Sequence, residues 1–166
     1  MTARVILVMG VSGSGKTTVG AMLAGRLGWE FVDGDDFHSP ANVAKMHAGH
    51  PLDDADRWPW LDSIALWIDA VRATGGRGIV ACSALRRVYR ERLAAGREEV
   101  TVLFLEGNPD TVAQRQARRT GHYMPASLVA SQFATLEPPG EGERAIRVSV
   151  APAPSDVVDR VMVEFR

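Results

Sequence analysis

Apolar residues fall along this chain in two rhythms, short unbroken runs and longer stretches with three- and four-residue spacing. Residues 4–9 (RVILVM) are an apolar, β-branched run that stops at glycine, the pattern of a strand buried on both faces of a parallel sheet and of the central strand in particular. From Lys16, the positions Val19, Met22, Leu23 and Leu27 recur at helical spacing until Gly28, a fitting residue just past a helix end. Residues 30–33 read as a second strand that runs into the polar turn Asp33-Gly34-Asp35-Asp36. Ser39 is an N-cap with Pro40 at the first helical position, and that helix runs to about Ala48 before Gly49 and Pro51. Residues 51–57 read as a polar loop. Trp60, Leu61, Ile64, Trp67, Ile68 and Val71 then mark a helix ended by Gly75-Gly76. The pattern continues with strand 78–82, helix 85–95, strand 100–105, helices 109–119 and 125–136, strand 145–150 and helix 155–165, with loops at 137–143 and 151–154. Strands alternating with helices predict an α/β fold, a five-stranded parallel sheet with helices on both faces, because parallel neighbours need long crossovers.

Length adds one restriction. At 166 residues the chain is a single domain, 1–166, long enough to hold a core without metals or disulfides. Nineteen basic against twenty acidic residues leave a net charge of −1, which argues against nucleic acid or an anionic membrane surface as partner. Cys82 is the only cysteine, so neither an intramolecular disulfide nor a cysteine zinc site forms. The first apolar stretch is too short for a signal peptide or a membrane span, and the expected location is the cytoplasm.

The segment Gly10-Val11-Ser12-Gly13-Ser14-Gly15-Lys16-Thr17 fits the Walker A pattern and lies between a predicted strand and a predicted helix, as that pattern requires. Such a loop turns successive backbone N–H groups towards phosphate oxygens, and the following helix adds the positive end of its dipole. Gly10, Ser12, Gly13, Ser14, Gly15, Lys16, Thr17 and Thr18 are therefore the expected ATP-binding set. Lys16 would reach the β- and γ-phosphates and Thr17 would ligate Mg²⁺. The chain has seventeen arginines and two lysines, Lys16 and Lys45. A compact ammonium is not replaceable by a guanidinium in a tight pocket, so Lys45 is either a second ligand-facing residue or a solvated helix residue.

Asp33, Asp35 and Asp36 follow the second strand, at the carboxyl edge of the sheet where open α/β folds bind ligands. Phosphoryl transfer to an alcohol calls for one carboxylate at the magnesium and one that orients the attacking hydroxyl. Treated as extended chain, the segment points Asp33 and Asp35 the same way and Asp36 elsewhere. Strand 78–82 ends without an acidic residue, which makes Asp33 the metal carboxylate and Asp35 the hydroxyl-orienting one. A solvated acidic turn is the alternative. The tryptophans fit helix packing better than base stacking, and Cys82 fits an inert buried thiol.

The phosphate loop, Asp33-Gly34-Asp35-Asp36-Phe37-His38, Lys45-Met46, the segment 49–61 (GHPLDDADRWPWL), Cys82-Ser83-Ala84-Leu85-Arg86-Arg87, Gly121-His122-Tyr123-Met124 and the segment 132–139 (QFATLEPP) together resemble the gluconokinase family. The resemblance runs from Val5 to about Val150. It implies ATP-dependent phosphorylation of D-gluconate at the 6-hydroxyl, a P-loop kinase fold with strand order 2-3-1-4-5, a helical lid at about 115–135, and a homodimer. The rivals are a kinase of another small hydroxy acid such as shikimate, and a module that binds ATP and a sugar acid without transfer.

A carboxylate-bearing polyol calls for positive and hydrogen-bonding side chains, and His38, Lys45, Arg57 and Arg86 are the candidates. Arg86, just after the third strand, is placed to grip a carboxylate with its fork, whereas Arg57 is open to a second reading as a structural ion pair. Arg115 and Arg119 lie four apart on one predicted helix, and by analogy with lid kinases both belong to the lid, Arg119 closing on ATP with Arg118 as competitor. Pro152, in the loop after the last strand, would border adenine. The catalytic set is thus Lys16, Asp35 and Arg119.

Overall fold

The structure is a computed structural model and describes residues 3–118 and 126–165. Five strands, β1 (Val5–Met9), β2 (Glu30–Asp33), β3 (Gly78–Ala81), β4 (Val100–Glu106) and β5 (Ala145–Ser149), form one parallel sheet in the order β2-β3-β1-β4-β5. The helices are α1 (Lys16–Leu27), α2 (Pro40–His47), α3 (Asp54–Ala73), α4 (Arg87–Ala94), α5 (Pro109–Arg118), α6 (Ala126–Thr135) and α7 (Pro154–Glu164).

Every side chain of β1 is buried, and alternate residues feed opposite faces of the sheet. Val5, Leu7 and Met9 pack with Trp60, Leu61, Ile64 and Ile68 of α3 and with Tyr89 and Leu93 of α4. Ile6 and Val8 pack with Val19 and Leu23 of α1 and with Val157, Val158 and Val161 of α7. Two cores flanking one sheet make the three-layer α/β/α architecture, and β1, paired on both edges, carries the phosphate loop at its carboxyl end. No helix among the described residues is long and apolar enough to cross a membrane.

Most predicted elements are found within one or two residues of their expected ends, but two expectations fail. Residues 54–57 are not loop: α3 begins at Asp54, because Asp53 accepts the Asp56 N–H (2.8 Å) while Asp56 reaches back to the Asp53 N–H (3.0 Å). This reciprocal cap is built from two aspartates, so the loop-like acidic run is a helix start. Nor is the Asp33–Asp36 segment extended. Gly34–Phe37 is a turn of 3₁₀ helix capped by Asp33, whose Oδ1 accepts the Asp35 N–H at 2.9 Å. Asp33 and Asp35 are joined through this turn, not by strand alternation.

Candidate active site

The strand that ends at Met9 hands the chain to a loop whose shape depends on Gly10. Its φ is +156°, and a Cβ there would lie 2.6 Å from Ser14 Oγ and 3.0 Å from the Leu105 carbonyl oxygen. Gly13 and Gly15 also take positive φ, and α1 starts from Gly15 with no side-chain cap and no acidic residue in its first turn. The helix N-terminus is thus open to an anion, as a phosphate cradle requires. Lys16 Nζ arches back to donate to the carbonyls of Gly10 (3.0 Å) and Val11 (3.1 Å), over the mouth of the loop. Ser14 is buried in the loop, its Oγ without a hydrogen-bond partner among the described residues. Ser12 N–H donates to Gln132 Oε1 of α6.

Thr17, one turn into α1, donates from Oγ1 to Asp33 Oδ2 at 2.9 Å. A hydroxyl and a carboxylate in contact at the edge of a phosphate loop fit Mg²⁺, which takes a few protein oxygens and shares phosphate and water for the rest. Gly34, next in the chain, has no room for a Cβ, which would come within 2.5 Å of the Ala81 carbonyl oxygen. This close approach lays the turn on the end of β3, and Trp60 Nε1 fixes it by donating to the Gly34 carbonyl (2.7 Å). Asp35 is thereby held in place at the end of the sheet. Its carboxylate reaches solvent (82% exposed). Even so, loss of hydration and the Asp33 charge raise its pKa above the usual value, against the lowering pull of Lys16 and His38.

His38 is shut in, its side chain 3% exposed and stacked on Trp60 at 4.2 Å between ring centres. Burial lowers its pKa, Asp35 opposes that shift and Arg57 adds to it, so the ring is neutral near pH 7. Asn42 Nδ2 donates to the Asp56 carbonyl (3.0 Å) and faces His38 Nδ1 at 3.4 Å. An amide NH₂ only donates, so with this amide orientation the imidazole proton belongs on Nε2, which lies 3.9 Å from Asp35 Oδ1.

The remaining acceptor-side candidates are engaged with carboxylates. Lys45 Nζ donates to Asp56 Oδ2 at 2.6 Å, with Asp53 at 3.9 Å, so it braces the start of α3. The Asp56 hydrogen bond raises the Lys45 pKa. Arg57 and Arg86 both reach Asp54, at 3.6 and 3.3 Å, and both lie over the Tyr89 ring at 5.4 Å. Tyr89, otherwise buried, donates its hydroxyl proton to Asp54 Oδ1 and receives a hydrogen bond from Arg57 Nη1 (3.1 Å). The Tyr89 hydrogen bond foremost, helped by Arg86 and Arg57, holds the Asp54 carboxyl below its ordinary pKa. Two guanidiniums are thus gathered at one place by a shared carboxylate and a shared ring.

On the nucleotide side, Arg115 of α5 donates from Nη2 to the Val150 carbonyl, two residues before Pro152. A cleft of about 340 Å³ opens beside this loop, lined by Glu106, Gly107, Asn108, Thr111, Ser149 and Ala151. Arg119 lies outside the described residues, as does the segment 121–124. Asp36 is exposed, and Cys82 is buried with its thiol pushed up to about 12 by burial, inert as expected.

Sequence reasoning passed over four residues of this site. Asp54 was hidden in the expected loop, and Tyr89 reads as a core position. Gln132 makes a contact 120 residues away in sequence. Arg90 is 1% exposed and donates to Glu143 (2.6 and 3.2 Å) and to the carbonyls of Ala84 (2.9 Å) and Leu85 (3.2 Å). It pins the turn at Ala84, which has φ +42°.

The sheet order and the phosphate loop at the end of its central strand define a P-loop small-molecule kinase. Residues 5–139 match a family described as an AAA domain, and the chain belongs to it. The chain is 47% identical to a gluconokinase of Gluconobacter oxydans (strain 621H), across 98% of this chain and 92% of that one. Among solved structures it superimposes on a gluconokinase from Sinorhizobium meliloti 1021 with a TM-score of 0.89 and 40% identity, covering 99% of this chain and 93% of that chain. A sugar kinase from Janibacter sp. HTCC2649 gives 0.90 and 45%, covering 97% and 93%. Shikimate kinase from Aquifex aeolicus shares the fold alone, at 15% identity with a TM-score of 0.63, covering 96% of this chain and 94% of that chain. The chain belongs to the gluconokinase family.

Proposed function

We propose that the protein transfers the γ-phosphoryl group of ATP to the 6-hydroxyl of D-gluconate. The observation that carries the reading is the joining, through one short turn, of the Thr17–Asp33 pair to Asp35, with Arg57 and Arg86 gathered near the same sheet edge. In this reading the loop amides and Lys16 hold the triphosphate, and Arg115 steadies the loop beside the base. Asp35 accepts a hydrogen bond from the attacking hydroxyl and aligns it, its raised pKa suiting it to take the proton as the bond to phosphorus forms. His38, neutral, faces Asp35 Oδ1 with Nε2 at 3.9 Å. Arg57 and Arg86 take the carboxylate at the other end of the acid. Thr17 and Asp33 would hold Mg²⁺, which when bound offsets charge on the phosphate oxygens. Arg119 completes the set as the lid arginine that neutralises charge on the transferred group.

The test is ADP release measured across gluconate, shikimate, glycerate and no acceptor, with γ-labelled ATP to follow the phosphate. Gluconate should stimulate release well above the basal rate and acquire the label. Equal release with and without gluconate rejects the reading, a preference for shikimate transfers it to another acid, and binding without label on the sugar acid makes the chain a non-catalytic module.

A further inference from the structure

The segment 132–137 touches both halves of the site. Gln132 Oε1 accepts the Ser12 N–H of the phosphate loop. Five residues on, Glu137 donates its N–H to the Leu85 carbonyl (2.7 Å) and accepts the Arg87 N–H on Oε1 (2.8 Å), while its Oε2 lies 3.8 Å from Arg86 Nε. Arg86 stands at the N-cap of α4 but makes no side-chain cap, so the first turn of α4 is closed by Glu137 from a distant part of the chain. Between the two ends Phe133 and Leu136 pack against Val11, Leu85 and Val112, and Leu136 also meets the core on the α3–α4 face of the sheet. A segment fastened at each end and packed along its length shifts as one piece.

We infer that residues 132–137 are a brace that couples occupancy of the phosphate loop to the setting of Arg86, with Gln132 and Glu137 as positioning residues. The inference rests on the proposed function for what is bound at each end. The two side chains suit their ends. An amide oxygen satisfies the Ser12 N–H without placing negative charge beside a polyphosphate, whereas the charged carboxylate faces a guanidinium. A triphosphate and Gln132 draw on the same loop, so the nucleotide meets a different contact energy with the brace engaged than with it released. That difference is what coupling requires.

Hydrogen exchange of amides 87–90, with and without Mg-AMPPNP, reads the brace without any acceptor present. In the wild type the nucleotide should change exchange there by about fivefold or more. Gln132→Met keeps the length and removes the acceptor, and should abolish the response. Gln132→Glu keeps the acceptor and adds charge, and should bind Mg-AMPPNP about tenfold more weakly with an unchanged melting temperature, an effect that a merely structural glutamine would not produce. A wild type without response, a wild-type response in Gln132→Met, or unchanged nucleotide binding by Gln132→Glu would each overturn the brace. Should Gln132→Met fail to fold, Gln132→Glu decides. A chain that shows the exchange response yet transfers no label to gluconate overturns the functional reading and leaves the brace standing.

Discussion

Around the phosphate loop the groups that the proposed function gives to ligand are main-chain amides, set by glycine dihedrals and by the start of α1; around Arg57 and Arg86 they are charged side chains held by other side chains. The loop needs few partners because its shape is local: Gly10 and Lys16 lie six residues apart, and Lys16 bonds back to the carbonyls of Gly10 and Val11. The proposed acceptor half is assembled from α3, α4 and the segment after α6, and each of its cations already has a carboxylate partner. A backbone site is therefore fixed by covalent geometry, whereas the ion-pair site is fixed by its neighbours and can be retuned by changing one of them.

The largest effect is expected at Lys16. Lys16→Ala removes the single side-chain charge of the loop, and gluconate-dependent ADP release should fall by roughly 10³-fold with little change in melting temperature. Arg90→Met attacks the support of the acceptor half instead. It leaves Glu143 buried without its partner and frees the Ala84 turn, and should cost about 3–5 kcal/mol of stability in urea denaturation, where an exposed arginine would cost under about 1.

Asp35→Asn sits at the junction and should lower kcat by roughly 10²-fold. Stability should move the other way. Desolvation and Asp33 raise the Asp35 pKa in the folded chain, so its contribution to stability is fully present below the unfolded value of 3.8 and is lost as pH rises through the folded value. At pH 7 the ionised group is a liability, and Asn should raise the melting temperature, with the gain shrinking towards pH 4. For the same reason the acid limb of kcat/KM in the wild type should fall at a pH above 3.8.

Asp54→Asn sharpens the comparison with the smallest effect. With the shared carboxylate neutralised, Arg57 and Arg86 lose their common anchor, so the KM for gluconate should rise about tenfold while kcat and the KM for ATP stay within about twofold. An equal rise in both KM values would show that the two halves are not separate in the way described.

Much of the fold and the glycine-rich loop was legible in residue order, because both depend on short-range rules. The unbroken apolar runs gave the strands, the Ser39-Pro40 cap held, and Gly28 ends α1 in the left-handed conformation with its N–H on the Ala24 carbonyl. The spacing of residues 10–17 specified the loop because glycine freedom and a following helix are local properties. The acceptor half was legible only as a set of candidates, since a charged residue looks the same whether it faces solvent, ligand or an ion-pair partner.

Residue order by itself thus determined the strands, the glycine-rich loop and the place of the acidic turn, but not the 3₁₀ path that joins Asp33 to Asp35. Tertiary structure alone decided that Lys45 braces α3, that Asp54 and Tyr89 gather two guanidiniums, that Arg90 is a buried pin and that Gln132 meets Ser12. The contacts of Lys45, Tyr89 and Gln132 join residues 11 to 120 apart, and neither period nor propensity encodes which distant partners the packing of three layers will bring within hydrogen-bond reach.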